Sequence, residues 1–203
     1  MILVIDSATA ACSAALIEFG AVGGDIIDER HEVVGRGHAE RLLPMIADLL
    51  GDRTPDAILV DCGPGSFTGV RVGLAAAHGL AIGWGVPVQG YSSMAAVAAA
   101  SGAGHVTVAL QGGHGELFVQ SFGGDPLAPL DALRSLAPDA AAEAAAAPLV
   151  AGSGAEAVAL LRGHGEWRDA LPRAADARLL PHDLRALPPR PIYGRAPDAK
   201  PQP

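Results

Sequence analysis

Lysine is almost missing from this sequence. Lys200, near the C-terminus, is the only one, so 13 of the 14 basic residues are arginines. No Walker lysine, Schiff-base lysine or lysine general base is therefore available in the folded part. Aromatics are scarce as well, at 4%. The basic residues are outnumbered by 22 acids, for a formal net charge of −8. A chain that binds nucleic acid unaided needs the opposite surplus, because its cations must neutralise phosphates. The two cysteines, Cys12 and Cys62, form neither a CxxC motif nor a disulfide framework, and a reduced, cytoplasmic setting is expected. No two histidines stand at HxH or HxxxH spacing and HExxH is absent. His31, His38, His78, His105, His114, His164 and His182 therefore read as scattered surface residues rather than metal ligands. GxSxG is also lacking; the stretch around Ser153 is AGSGA. The opening MILVIDSATA has an acid at its sixth position and no basic region, unlike a signal peptide. The longest uncharged apolar run, between Arg71 and Gln89, is interrupted by His78, glycines and Pro87. It reads as a buried helix followed by a strand, not as a membrane span.

What is abundant is small and apolar. Half of the 203 residues are hydrophobic and 26 are glycine, a composition that packs elements closely and argues against disorder. Met1 to Ile5 predicts a buried strand, Cys12 to Phe19 a second and Asp25 to Val34 a third, in a meander. From His38 to Leu50, Leu42, Met45, Ile46 and Leu49 fall at i, i+3, i+4 and i+7, one helical face, with Pro44 inside and Gly51 as the stop. Ala57 to Val60 predicts a short strand ending at Asp61. A glycine loop then leads into a helix over about 69–84, a strand at 86–89 and a helix over 92–100 capped by Ser92. This order implies parallel pairing at the sheet centre. Composition turns to Gly and Ser at 101–104, which places a boundary there. Strands at 105–110 and 116–122 then form a hairpin. Residues 130–147 carry little signal. A strand at 149–151, a helix to Arg162, a last helix over 174–187 interrupted by Pro181, and an extended proline-rich end complete the chain. The expected domains are 1–103, a first lobe, 104–187, a smaller second lobe whose last helix returns to the first, and 188–203, a tail.

The most specific motif is GPGSFTG, Gly63 to Gly69. It follows a strand and opens a helix. Gly63 and Gly65 permit close backbone approach, Ser66 or Thr68 can cap the helix, and Arg71 lies one turn on. The loop fits an anion or nucleotide site at a helix N-terminus; it fits equally a tight turn whose glycines only allow dense packing. Its GxGxxxG spacing fails as a dinucleotide fingerprint. Asp6 and Asp61 each close a strand at its C-terminal end, where they either hold a metal or water or simply cap turns. Cys12 and Cys62 sit among apolar strand residues and read as inert buried thiols.

VIDSATAACSAAL, HAERLLPMI, GPGSFTGVRVGLAAAHGLA and VPVQGYSSMAAVA together resemble the TsaB family, continuously from Met1 to about Ala100, loosely through the alanine-rich half, and again at AGSGAEAV and PIYGRAPDA. In the last of these, Gly194 stands where the family usually has a bulky apolar residue. The resemblance implies an α/β, two-lobed actin-like ATPase fold (ribonuclease H-like) with mixed sheets flanked by helices. It implies a non-catalytic subunit of the complex that makes N6-threonylcarbamoyladenosine beside the tRNA anticodon. The partners would be a TsaD-like catalytic paralogue and a TsaE-like ATPase, with tRNA met only through the complex, a homodimer left open for the isolated chain, and no membrane, cofactor or metal. The paralogue carries HxxxH metal ligands where this chain has Ser93 and Val97. The implied partner interface is Leu42, Met45, Ile46, Leu49, Leu74, Ala76, Gly79, Leu80 and Gly83. A stand-alone actin-fold ATPase or small-molecule kinase using Asp6, Asp61 and the Gly63–Gly69 loop is the alternative.

Overall fold

Leu3, Val4 and Ile5 are all fully buried because the strand they form is covered on both faces. The structure is a computed structural model that describes residues 1–20 and 23–194. β1 (Ile2–Asp6) pairs antiparallel with β2 (Ala11–Phe19), which pairs antiparallel with β3 (Gly24–Val33). On its other side β1 runs parallel to β4 (Ala57–Asp61), and β4 parallel to β5 (Val88–Tyr91), giving the order β3-β2-β1-β4-β5. One face carries Leu3 and Ile5 against α1 (His38–Leu50) and α2 (Phe67–Trp84). The other carries Val4, Ala15, Ile17 and Leu59 against α3 (Ser93–Ser101) and the 3-10 segment Ala174–Leu179. Alternate strand residues thus meet different helices, so β1 reads as an unbroken apolar run.

The second sheet begins with β6 (His105–Gln111), antiparallel to β7 (Leu117–Gly123) across a 3-10 turn at Gly113–Gly115. β7 also pairs with the short β8 (Ala128–Pro129) and β9 (Arg134–Leu136). β10 (Leu149–Ala151) lies parallel to β6 and to the edge strand β11 (Glu166–Arg168). α4 (Pro138–Ala144) and α5 (Ala155–Arg162) cover one face through Ala141, Ala145, Ala155 and Val158. The opposite face, with Val106, Val108, Leu110, Phe118 and Phe122, shares one core with α3 and the first sheet. The two halves are therefore joined by apolar packing, with α3 as the common layer.

Several expected elements take another form. The segment after β11 returns to the first sheet, where Ala174 N–H donates to the buried Ser13 Oγ at 2.9 Å, but as 3-10 turns at Ala174–Leu179 and His182–Arg185 rather than a helix. Pro181 supplies no N–H between them, so no α-helical ladder continues. α2 starts at Phe67 with Ser66 as its cap, and β5 lies at Val88–Tyr91, later than expected. α4 and β9 arise inside the stretch that carried little signal. His38 is buried, its Nε2 3.1 Å from the Ala11 carbonyl oxygen, so it is a core residue and not a surface one. Residues 195–203 of the expected tail lie outside the described residues, and among the latter no helix is long and apolar enough to cross a membrane.

Gly65, Gly69 and Gly73 share one ridge of the loop and α2, and that ridge rests on the β1–β2 turn. A Cβ at Gly65 would overlap the Ala8 carbonyl oxygen and one at Gly69 the Ser7 carbonyl oxygen; at Gly73 it would lie 2.6 Å from Ser7 Oγ. Gly79, further along α2, has nothing within 4 Å. Gly69→Ala is expected to destabilise by about 2 kcal/mol or more through overpacking. Gly79→Ala should stabilise by roughly 0.5–1 kcal/mol, the helix-propensity gain. Urea denaturation of the two variants checks this, and equal midpoints would contradict it.

Candidate functional site

Asp6 and Asp61 end adjacent parallel strands, so the sheet delivers both carboxyls to one place. Asp6 is fully buried and Asp61 nearly so. Asp6 Oδ1 accepts the Ala8 N–H at 3.2 Å, and Asp61 Oδ1 accepts the Gly63 N–H at 2.8 Å. Each acid therefore closes the turn that follows its own strand. Asp61 Oδ2 also accepts the Ser93 hydroxyl at 2.6 Å, from the first residue of α3. Asp6 Oδ2 is buried with no donor reaching it. A bare carboxylate oxygen there would be unsatisfied, whereas a proton on it lets Asp6 donate to Asp61. The electrostatics agree. Burial first, then the Asp61 charge, pushes Asp6 well above the usual carboxylate range. Burial raises Asp61 to about 6, with the Ser93 hydroxyl and the Gly63 N–H holding it down. Both acids therefore resist ionising, Asp6 more than Asp61. Nearby Tyr91 is pushed up by burial and then by both acids. The Cys62 thiol is raised to about 12 and that of Cys12 to about 11, chiefly by burial, so neither is a nucleophile.

Two amides of the loop expected to hold an anion are spent within the protein. Ser66 N–H donates to the Ala8 carbonyl at 2.6 Å, and Gly69 N–H to Ser66 Oγ at 3.2 Å, while Ser7 Oγ donates to the Gly69 carbonyl at 2.9 Å. Ser66, not Thr68, is the cap. Arg71 turns to the aromatic rings of Phe67, 3.2 Å below it, and Tyr193, whose hydroxyl accepts its Nη2 at 2.8 Å. Gly63, Gly65, Ser66, Thr68 and Arg71 are therefore brought together with Asp6 and Asp61, but as close backbone packing around a buried acid pair.

A cleft of about 820 Å³ opens beside this packing, between the two sheets. Ala8, Thr9, Gly65, Ser66 and Arg71 form one wall, Gln111, Glu116, Phe118 and Ser153 the other, and Ile192 to Gly194 its rim. Neither Asp6 nor Asp61 lines it. The second wall was missed from the sequence; the glycines at 112, 113 and 115 and the AGSGA stretch were its only signals. No group of three His, Cys, Asp or Glu that could hold a metal occurs among the described residues. At the positions the resemblance matches to metal-binding histidines, Ser93 spends its hydroxyl on Asp61 and Val97 is a core side chain without a donor atom. Those residues do not fit a metal.

The expected interface residues divide. Leu42, Met45, Ile46, Leu49 and Leu74 are buried in the chain's own core, because α1 has one apolar stripe and its own sheet takes it. They are not surface residues. Ala76 and Leu80 are half-buried, and Gly79 and Gly83 are exposed.

Two mixed sheets sharing a core, an interlobe cleft and acids at the ends of adjacent strands define an α/β protein of the actin-like ATPase class. The family model for TsaD, tRNA N6-adenosine threonylcarbamoyltransferase, matches residues 26–125. The TsaB protein of Escherichia coli is 40% identical over 126 residues, 58% of this chain and 52% of that one. An uncharacterized protein of Mycobacterium tuberculosis is 33% identical over 98% of this chain and 94% of its own. YeaZ from Pseudomonas aeruginosa superposes with a TM-score of 0.77 at 27% identity, covering 95% of this chain and 98% of that one. These likenesses support a TsaB-like protein. The chain spans about half the length of the E. coli TsaB it matches.

The acid pair sets a pH dependence. Both folded pKa values are raised, so the folded state holds more protons than the unfolded one above about pH 4. The stabilisation is full below the unfolded pKa values and is lost as pH rises through the folded ones. Asp6→Asn keeps the acceptor for Ala8 N–H and donates to Asp61 without a proton to lose. The variant should gain on the parent, by on the order of 1–3 kcal/mol, between about pH 5 and pH 8. Urea melts at both pH values check this; parallel stability profiles would contradict it.

Proposed function

We propose that the chain is a non-catalytic scaffold subunit for the synthesis of threonylcarbamoyladenosine in tRNA, in the cytoplasm, binding and activating a TsaD-like catalytic paralogue together with a TsaE-like ATPase. One observation carries this reading: both carboxyls where an actin-like fold builds its chemistry are buried and are used to close turns. Stand-alone ATP hydrolysis has no free carboxylate there to work with. The likeness to TsaB relatives and to the TsaD family model supports the same pathway. The net charge of −8 supports contact with tRNA through the complex and not by the chain alone.

The docking surface is the outer side of α1 and α2. Since Leu42, Met45, Ile46 and Leu49 are spent on the core, a partner meets what lies outside that stripe. On α2 this is Ala75, Gly79, Gly83 and Ile82, the last 84% exposed; on α1 it is Leu43 and Ala47. Small residues at helical spacing let a second helix approach closely, and Ile82 and Leu43 supply the apolar anchors. The same surface serves a homodimer when the partner is missing.

Ile82→Glu tests the reading. The free chain should keep its stability to within about 0.5 kcal/mol, as surface changes do. A charge buried without a partner costs several kcal/mol, enough to take a roughly micromolar complex beyond detection. Co-purification with the TsaD-like subunit and modification of tRNA should both be lost. Full co-purification of the folded variant would contradict the interface. Met45→Glu and Leu49→Glu would instead unfold the chain.

A further inference from the structure

The C-terminal segment does not leave the first lobe freely. Leu187 forms an antiparallel bridge with Gly90 on the edge strand β5: Gly90 N–H donates to the Leu187 carbonyl at 2.7 Å and Leu187 N–H to the Gly90 carbonyl at 3.0 Å. Pro188, Pro189 and Pro191 then fix φ and carry no N–H, and the chain bends at Pro189 and Arg190. Arg190 N–H goes to the Pro188 carbonyl at 2.8 Å, and Ile192 N–H to the Cys62 carbonyl at 2.8 Å. His78 Nε2 lies 3.3 Å from the Pro189 carbonyl oxygen, and Tyr193 accepts from Arg71. The next residue reaches the second lobe. A Cβ at Gly194 would lie 2.5 Å from the Phe118 ring and 3.5 Å from Leu133. Gly90 is equally closely covered, since a Cβ there would lie 2.5 Å from Cys62 Sγ and 3.1 Å from the Pro188 carbonyl oxygen. Glycine at both ends is what lets the segment lie flat on each lobe. Between them it runs along the rim of the 820 Å³ cleft, to which Pro191, Ile192, Tyr193 and Gly194 contribute.

We propose that residues 187–194 are an interlobe brace, anchored on Gly90, Cys62 and Arg71 of the first lobe and on Phe118 and Leu133 of the second, that holds the cleft at one width. The α3 core joins the lobes on one side; the brace joins them at the cleft, where among the described residues apolar packing is thin. Arg71 and His78, which meet the brace at Tyr193 and Pro189, both belong to α2, so the brace couples cleft width to that helix.

The test is a distance measured across the cleft in the full chain. Thr68→Cys, next to the first wall, and Gly113→Cys, on the second, place probes on exposed positions, while Cys12 and Cys62, fully buried, stay unlabelled. With the native brace, pulsed electron spin resonance should give one narrow distance distribution. Leu187→Pro with Tyr193→Ala removes the Gly90 bridge bond and the Arg71 contact, and should broaden the distribution and lengthen its mean. Gly194→Leu, which wedges the brace off Phe118, should shift it as well. Circular dichroism establishes folding, and if the double variant does not fold, Gly194→Leu alone decides. Unchanged distributions in the folded variants would mean that the α3 core sets the cleft by itself, and would overturn the brace.

Discussion

The backbone of the β1–β2 turn lies directly on the first turns of α2, with only the Ser7 hydroxyl reaching between them. Ser7 and Ala8 occupy space that any residue larger than glycine at 65, 69 or 73 would take. Two hydrogen bonds lock the contact, from Ser66 N–H to the Ala8 carbonyl and from Ser7 Oγ to the Gly69 carbonyl. Much follows from this approach. It sets α2 against β1 and β4, aims the outer side of α2 at solvent and closes the space above the strand ends. In a fold where a glycine-rich loop at a helix start can cradle a phosphate, the Ser66 and Gly69 amides bond within the protein instead.

The acid pair is the electrostatic consequence. Two carboxyls excluded from water resist ionising together, and burial raises both. Ser93 and the Gly63 N–H stabilise the charge on Asp61. The arrangement converts what would be reactive groups into ties between β1, β4 and α3. That is compatible with a subunit whose contribution is its surface, and it explains why glycine, serine and valine occupy positions that chemistry would give to phosphate-binding amides and imidazoles.

Much of the first lobe was legible in the sequence because its signals are local. The apolar run at Met1–Ile5, the stripe of Leu42, Met45, Ile46 and Leu49, and the cap at Ser92 each specify an element without reference to the rest. The meeting of Asp6 and Asp61 was also legible, since both end strands that parallel pairing places side by side. What the stripe faces was not: periodicity says that α1 has an apolar side, and only tertiary packing says that its own sheet takes it. The purpose of Gly65, Gly69 and Gly73 was open for the same reason, as glycine serves a ligand or a neighbouring backbone equally well. The brace escaped notice because prolines signal an extended chain but carry no information on which edge strand receives it. The 3-10 turns at 174–185 were read as a helix because their alanines and leucines favour one.

The central claim is that Asp6 and Asp61 do structural and not chemical work, and that activity resides in the partner. The most direct measurement is tRNA modification by the reconstituted complex, with the TsaD-like and TsaE-like subunits held constant and this chain carrying Asp6→Asn. The substitution preserves the turn and the bond to Asp61 while removing the acid. The account predicts a folded variant that supports modification at a rate within about twofold of the parent, since no transition-state contact is lost. A folded variant that still assembles but loses on the order of 100-fold or more in rate, the scale expected for removing an acid–base group, would contradict it.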